Sequence, residues 1–109
     1  MGGVPEFAVR VTENGHGPVV LLAGELDLAA SGQFRECLHE LVGQHVTLDF
    51  SDVTFMDSTA IGVLVAARLR SEKEGGALAL HGVQPAQMRV FEMVGLAEHL
   101  NFDGEATVS

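Results

Sequence analysis

Apolar and polar residues alternate from Glu6 to Thr12, with Phe7, Val9 and Val11 facing one way and Ala8, Arg10 and Thr12 the other. A period of two predicts a half-buried strand. Asn14-Gly15-His16-Gly17-Pro18 marks a turn, Asn-Gly being the strongest short-range hairpin signal. Val19 to Ala23 is continuously apolar, which predicts a central strand covered on both faces and paired with the first. From about Leu28 to Val42 the period becomes helical. Ala30, Phe34, Leu38 and Leu41 form its apolar stripe, and Gln33, Arg35, Glu36, His39 and Glu40 its wet side. Gly43 closes this helix.

Val46, Leu48 and Phe50 then alternate with Thr47 and Asp49 as a third strand. One helix separates it from the second, so a parallel, right-handed crossover is expected. Ser51-Asp52-Val53-Thr54 leads from there to Phe55-Met56-Asp57-Ser58-Thr59, where a second helix opens and runs to about Lys73. Its predicted core face is Ile61, Leu64, Val65 and Leu69, at spacings of three to four. Gly75-Gly76 is a turn, Ala77 to His81 a fourth strand, and Pro85 a first helical residue that opens Ala86 to Val94 before Gly95. Met88 and Phe91 are the inward pair of that helix, Leu96 to Leu100 a further turn, and Phe102 the anchor of a short last strand. The predicted architecture is α/β: one domain over 1–109, with a mixed sheet of four to five strands packed with three to four helices. Residues 1–5 and 103–109 are expected to fray.

Composition narrows the function. A chain of 109 residues with 47% hydrophobic residues supports one modest core. The net charge of -9, from 15 Asp and Glu against 6 Lys and Arg, disfavours nucleic acid and anionic membrane and favours a basic protein partner. Neither Trp nor Tyr is present to stack on bases or sugars. A single cysteine, Cys37, permits no internal disulfide; it lies beside the first helix's stripe and reads as a small core residue. No apolar run approaches the roughly 18 residues that span a bilayer, and the expectation is a soluble, cytoplasmic protein.

The chemistry of the residues points away from catalysis. Ser58 follows a strand, but Met56-Asp57-Ser58-Thr59-Ala60 lacks the flanking glycines of a nucleophile elbow, and nothing aims His81 at it. No glycine-rich phosphate loop occurs, and the one lysine is Lys73. His16, His39, His45, His81 and His99 have no metal-type spacing, so no cofactor or metal is expected. Two polar features remain. Gly24-Glu25-Leu26-Asp27 places two carboxylates just beyond a buried strand, where α/β proteins bring ligands or partners. Asp57-Ser58-Thr59 stands at a helix N-terminus, among unpaired N–H groups that favour an anion. Either Ser58 or Asp57 can be the cap; if Asp57 is, the Ser58 hydroxyl is left in the first turn, open to solvent. Gly62 and Ala66, one turn apart, form a flat strip fitted either to close packing within the fold or to a shallow docking surface.

Gly24-Glu25-Leu26-Asp27, Leu48-Asp49-Phe50-Ser51-Asp52-Val53 and the run from Phe55 to Leu64 together resemble the STAS domain, and more narrowly the bacterial anti-sigma factor antagonists. The similarity extends through Gly75-Gly76 and Pro85-Ala86 to Val94-Gly95-Leu96. It implies a non-enzymatic partner switch: the unphosphorylated protein binds an anti-sigma factor, often itself a serine kinase, and a sigma factor is released. In that family the serine after the Met-Asp pair is phosphorylated by the partner kinase and restored by a serine phosphatase, which implies Ser58 as the acceptor here, with Thr59 as a secondary candidate. The implied contact surface comprises Glu25, Asp27, Asp57, Ser58, Thr59, Ala60, Gly62, Val63 and Ala66. Where the family commonly has glycine two residues after the serine, this chain has Ala60. A methyl group there that crowded the kinase would leave a STAS scaffold that binds without being switched. A small-ligand domain is a further alternative, to be recognised by a deep polar pocket beside Ser58.

Overall fold

A tight turn folds β1 (Ala8–Glu13) back onto β2 (Pro18–Leu26) as an antiparallel hairpin. Asn14 makes the turn: its Oδ1 accepts the His16 N–H at 2.9 Å, while Gly15 takes the positive φ of 92° that other residues avoid. The computed structural model describes residues 6–93 and the strand Asn101–Phe102. After β2 come a 3₁₀ turn (Leu28–Ala30), α1 (Ser31–Glu40), β3 (His45–Met56), α2 (Ser58–Lys73), β4 (Ala77–His81), α3 (Pro85–Met93) and β5 (Asn101–Phe102). The expected turn at Leu96 to Leu100 and the fraying of 1–5 and 103–109 lie outside the described residues.

The sheet order is β1-β2-β3-β4-β5, with every pair after the hairpin parallel. Right-handed crossovers that always step the same way place their helices on one face. Burial follows that logic. Pro18, Val20, Leu22, Gly24 and Leu26 of β2 are buried, whereas Val19, Leu21, Ala23 and Glu25 between them are half-buried. The continuous apolar run had predicted cover on both faces; one face alone is fully covered. The core on that side joins Phe34 of α1, Phe50 of β3, Leu64 of α2, Leu80 of β4 and Phe91 of α3, all fully buried. Phe7 adds an edge-to-face contact on Phe34, with ring centroids 6.5 Å apart.

Two elements depart from the expectation. β3 runs 12 residues, through the stretch read as a lead-in. Its pairing with β2 shifts twice, between Leu21 and Ala23 and between Gly24 and Glu25, so β3 carries extra residues opposite each step. Each bulge flips the phase of the strand. The inward residues are Val46, Leu48 and Phe50 at spacing two, then Val53 and Met56 at spacing three, which conceals the strand from a search for alternation. On α2, the buried face is Ala60, Ile61, Val63, Leu64, Ala67 and Ser71. Val65 only packs against the core from its margin, and Leu69 is 51% exposed. An almost wholly apolar helix has no unique apolar stripe, so its rotation is set by the sheet beneath it.

Where β4 ends, opposite Asp49, the second half of β3 continues beyond it. Two glutamines meet that edge: Gln84 Nε2 donates to the Ser51 carbonyl at 2.9 Å and Gln87 Nε2 to the Val53 carbonyl at 3.0 Å. Gln87 Oε1 in turn accepts the Gln84 N–H at 3.0 Å. Side-chain amides thus stand in for a neighbouring strand and hold α3 against the sheet.

Gly24 sits at the second register step, packed against the backbone of Glu6 and Phe7. Its φ is 92°, and a Cβ there would collide with the Glu6 carbonyl oxygen. Gly24→Ala is expected to cost about 1–3 kcal/mol, from the strained conformation together with the collision. Urea unfolding of the variant beside the wild type measures this.

Candidate functional site at the ends of two parallel strands

β2 and β3 end side by side, Leu26 opposite Met56, and each is followed by an aspartate that starts a helical segment. Both aspartates have extended backbones, with φ -117° at Asp27 and -109° at Asp57, the conformation of an N-cap. Asp27 Oδ1 accepts the Ala30 N–H at 3.1 Å and caps the 3₁₀ turn. Asp57 Oδ1 accepts the Thr59 and Ala60 N–H groups, at 3.0 and 3.1 Å, and caps α2. The other oxygen of the same carboxylate, Oδ2, accepts the Leu28 N–H at 3.1 Å. The Asp57 N–H itself donates to the Leu26 carbonyl at 3.3 Å, continuing the strand pairing by one residue. One side chain therefore ties the start of α2 to the turn that follows β2.

The choice of cap left open by the sequence is thereby made. Asp57 caps the helix, and Ser58 occupies its first position, exposed, at the positive end of the dipole. Gly62 and Ala66 follow Ser58 at intervals of four residues and are exposed on the same face. A Cβ built on Gly62 meets nothing within 4 Å, so the small-residue strip is not a packing seam within this domain. Glu25, Asp27, Asp57 and Thr59 are half-buried around the junction. Glu25 and Asp27 also line, with Glu6, Ala29 and Gln33, a groove of about 310 Å³ at the end of the hairpin.

Two residues expected on the contact surface are not there. Ala60 is 0% exposed and Val63 is buried beside it, both within the core that α2 makes with the sheet. Ala60 lies on the opposite side of the helix from Ser58, Gly62 and Ala66, and Val63 about 100° round from Gly62, which turns both side chains toward the sheet. Conversely, the sequence reading overlooked Leu28, which is 69% exposed next to Asp57, and Phe55, 50% exposed opposite Glu25. A signal for Leu28 existed: it lies off the stripe of Ala30, Phe34, Leu38 and Leu41, directly after a capping aspartate.

His81 pairs in register with Asp49, well before the end of β3, and is not brought to Ser58. Among the described residues no group of three or more His, Cys, Asp or Glu is placed to hold a metal, and no helix is long and apolar enough to cross a membrane. A larger groove, of about 660 Å³, lies between α3 and the Ser51–Met56 half of β3, lined by Thr54, Phe55, Gln84 and Val90 among others. Cys37 is half-buried against the core, and burial, with a lesser contribution from the neighbouring Glu40 carboxylate, pushes its thiol above the ordinary value of 9.0. Less thiolate forms at a given pH, so Cys37 is expected to react with a disulfide reagent at pH 8 several-fold more slowly in the folded than in the urea-unfolded protein. By the same linkage, a pKa raised in the folded state adds stability below the unfolded value, and that contribution fades as pH rises through the folded one.

This is an α/β domain whose helices share one face of the sheet and whose most polar junction presents an exposed serine at a helix start. The family model described as Mlab, STAS domain matches residues 9–101. The anti-sigma-B factor antagonist of Bacillus subtilis (strain 168) is 31% identical over 100 residues, which cover 90% of this chain and 92% of that protein. Among solved structures, an anti-sigma factor antagonist from Mycobacterium paratuberculosis superposes with a TM-score of 0.80 at 22% identity, over 94% of this chain and 93% of that one. The Bacillus cell fate determinant SpoIIAA in its phosphorylated form superposes with a TM-score of 0.69 at 23% identity, over 94% and 96%. The chain belongs to the STAS domain family and, within it, to the anti-sigma factor antagonists.

Proposed function

We propose that this protein binds an anti-sigma factor through the face around Ser58, so that a sigma factor is set free, and that phosphorylation of Ser58 by the bound partner ends the complex. A serine phosphatase returns the protein to its binding form, and the exchange takes place in the cytoplasm. The observation that carries this reading is the capping by Asp57, which satisfies the first amides of α2 and leaves the Ser58 hydroxyl exposed beside them. An acceptor in that place takes a phosphate without unfolding anything, since the helix end favours negative charge. Glu25, Asp27, Asp57, Thr59, Gly62 and Ala66 complete the contact face, whose carboxylates complement a basic partner. A STAS scaffold that binds without switching is the second reading. Its motive was Ala60 in place of glycine, and with Ala60 wholly buried its methyl group does not meet an approaching kinase.

Incubating the protein with ATP and each purified anti-sigma factor of its own genome, followed by phosphopeptide mass spectrometry, tests the switch. One phosphate on Ser58, lost in Ser58→Ala, is the expected result. Phosphate on Thr59 alone, or none on a protein that still binds, overturns it.

A further inference from the structure

We infer that Leu28 is the apolar anchor of this contact face, and that the anti-sigma factor receives it in an apolar pocket rimmed by basic side chains. The inference rests on the reading just given and adds the residue that sets partner choice. A single exposed leucine is ordinary on a protein surface; what sets Leu28 apart is its place beside the start of the Ser58 helix and the way its backbone is held. Leu28 is 69% exposed, on the residue whose N–H is held by the carboxylate that caps the Ser58 helix. Its carbonyl is held as well, by the Ser31 hydroxyl at 2.8 Å, and Asp27 caps the turn it opens. With both backbone groups engaged, the side chain is presented from a fixed position. Binding then costs little ordering of the side chain's base.

The surroundings specify the pocket. Asp27 precedes Leu28, the Asp57 carboxylate accepts from its N–H, and Glu25 lies with Asp27 in the adjoining groove, which none of the six Lys and Arg residues lines. A partner that closes over the leucine must therefore set cationic groups against the Asp27 and Asp57 carboxylates, and its affinity falls as salt rises. The other exposed apolar residues serve less well. Leu69 sits three turns along α2 from Ser58, Phe55 is partly covered along the groove beside α3, Val11 pairs with Val20 toward the far end of the hairpin, and Met93 is the last residue of α3.

Titration calorimetry of the wild type, Leu28→Ala, Leu28→Asp and Leu69→Ala against the purified anti-sigma factors of the same genome decides the matter. Leu28→Ala is expected to weaken the complex about thirtyfold and Leu28→Asp to abolish it, with Leu69→Ala within twofold of wild type. Unchanged thermal unfolding in Leu28→Ala shows that the loss belongs to the interface. The inference falls if Leu28→Ala binds within twofold of wild type while Ser58→Asp no longer binds, an outcome that leaves the Ser58 switch standing. A wild-type protein that binds none of these factors overturns the underlying reading.

Discussion

Ser58→Asp is expected to weaken binding to the anti-sigma factor by about a hundredfold or more, while its thermal midpoint stays close to that of the wild type. The stability half of this expectation follows from position. Ser58 is exposed at the first residue of α2, where a carboxylate gains about 0.3–1 kcal/mol from the helix dipole and loses a similar amount beside Asp57. The binding half follows from what surrounds it. Gly62 and Ala66 continue the face and allow a partner to approach closely, so a charge at Ser58 is stripped of water. A partner that phosphorylates Ser58 must also bring the γ-phosphate of ATP to its hydroxyl, and a carboxylate already there meets like charge. Uncompensated burial and repulsion of this kind cost several kcal/mol, and about 3 kcal/mol is already a factor of roughly a hundred. Calorimetric titration and a thermal melt on the same preparation read both halves. Full-strength binding by Ser58→Asp would falsify the charge switch.

Asp57→Ala is expected to destabilise the fold by about 2–3 kcal/mol, a large effect for a residue that is only half-buried. The cap on α2 accounts for about 1–2 kcal/mol of this. The remainder comes from the Leu28 N–H, which loses its acceptor and must find water, at about 0.5–1.5 kcal/mol. Asp57→Asn separates the two contributions. Asparagine caps as well as aspartate, but its amide nitrogen cannot accept from Leu28, so a loss of only about 1 kcal/mol is expected. Urea unfolding gives the energies, and amide exchange at Leu28 gives the location: exchange accelerates in both variants, whereas exchange at Ala60 accelerates only in the alanine variant. Equal stability of Asp57→Ala and wild type would show that the bridge between α2 and the turn contributes nothing.

These two substitutions probe different functions of neighbouring residues, and the division was only partly visible beforehand. Ser58 and Asp57 stood out because a polar pair before a long apolar run marks a helix start whatever the tertiary fold. Their roles could not be separated, since both residue types cap helices; the geometry of one carboxylate, reaching two amides of α2 and one of the turn, separates them. The contact surface was harder to read. Ala60, Gly62, Val63 and Ala66 are small or apolar and lie in the 60–67 stretch of α2, which is apolar on every side, so periodicity does not fix which of them face water. Packing on the sheet buries Ala60 and Val63 and leaves Gly62 and Ala66 outside.

The sequence by itself determined the order of strands and helices, the hairpin turn at Asn14-Gly15 and the serine at the helix start, because each rests on local backbone chemistry or on a period within one element. Only the tertiary structure decided the extension of β3 through two bulges, the incomplete cover of one face of the parallel sheet, the rotation of α2 and the hydrogen bond from Leu28 to Asp57. Those features depend on contacts between residues far apart in the chain: the bond from Leu28 to Asp57 spans 29 positions, and it forms only once β2 and β3 have ended side by side.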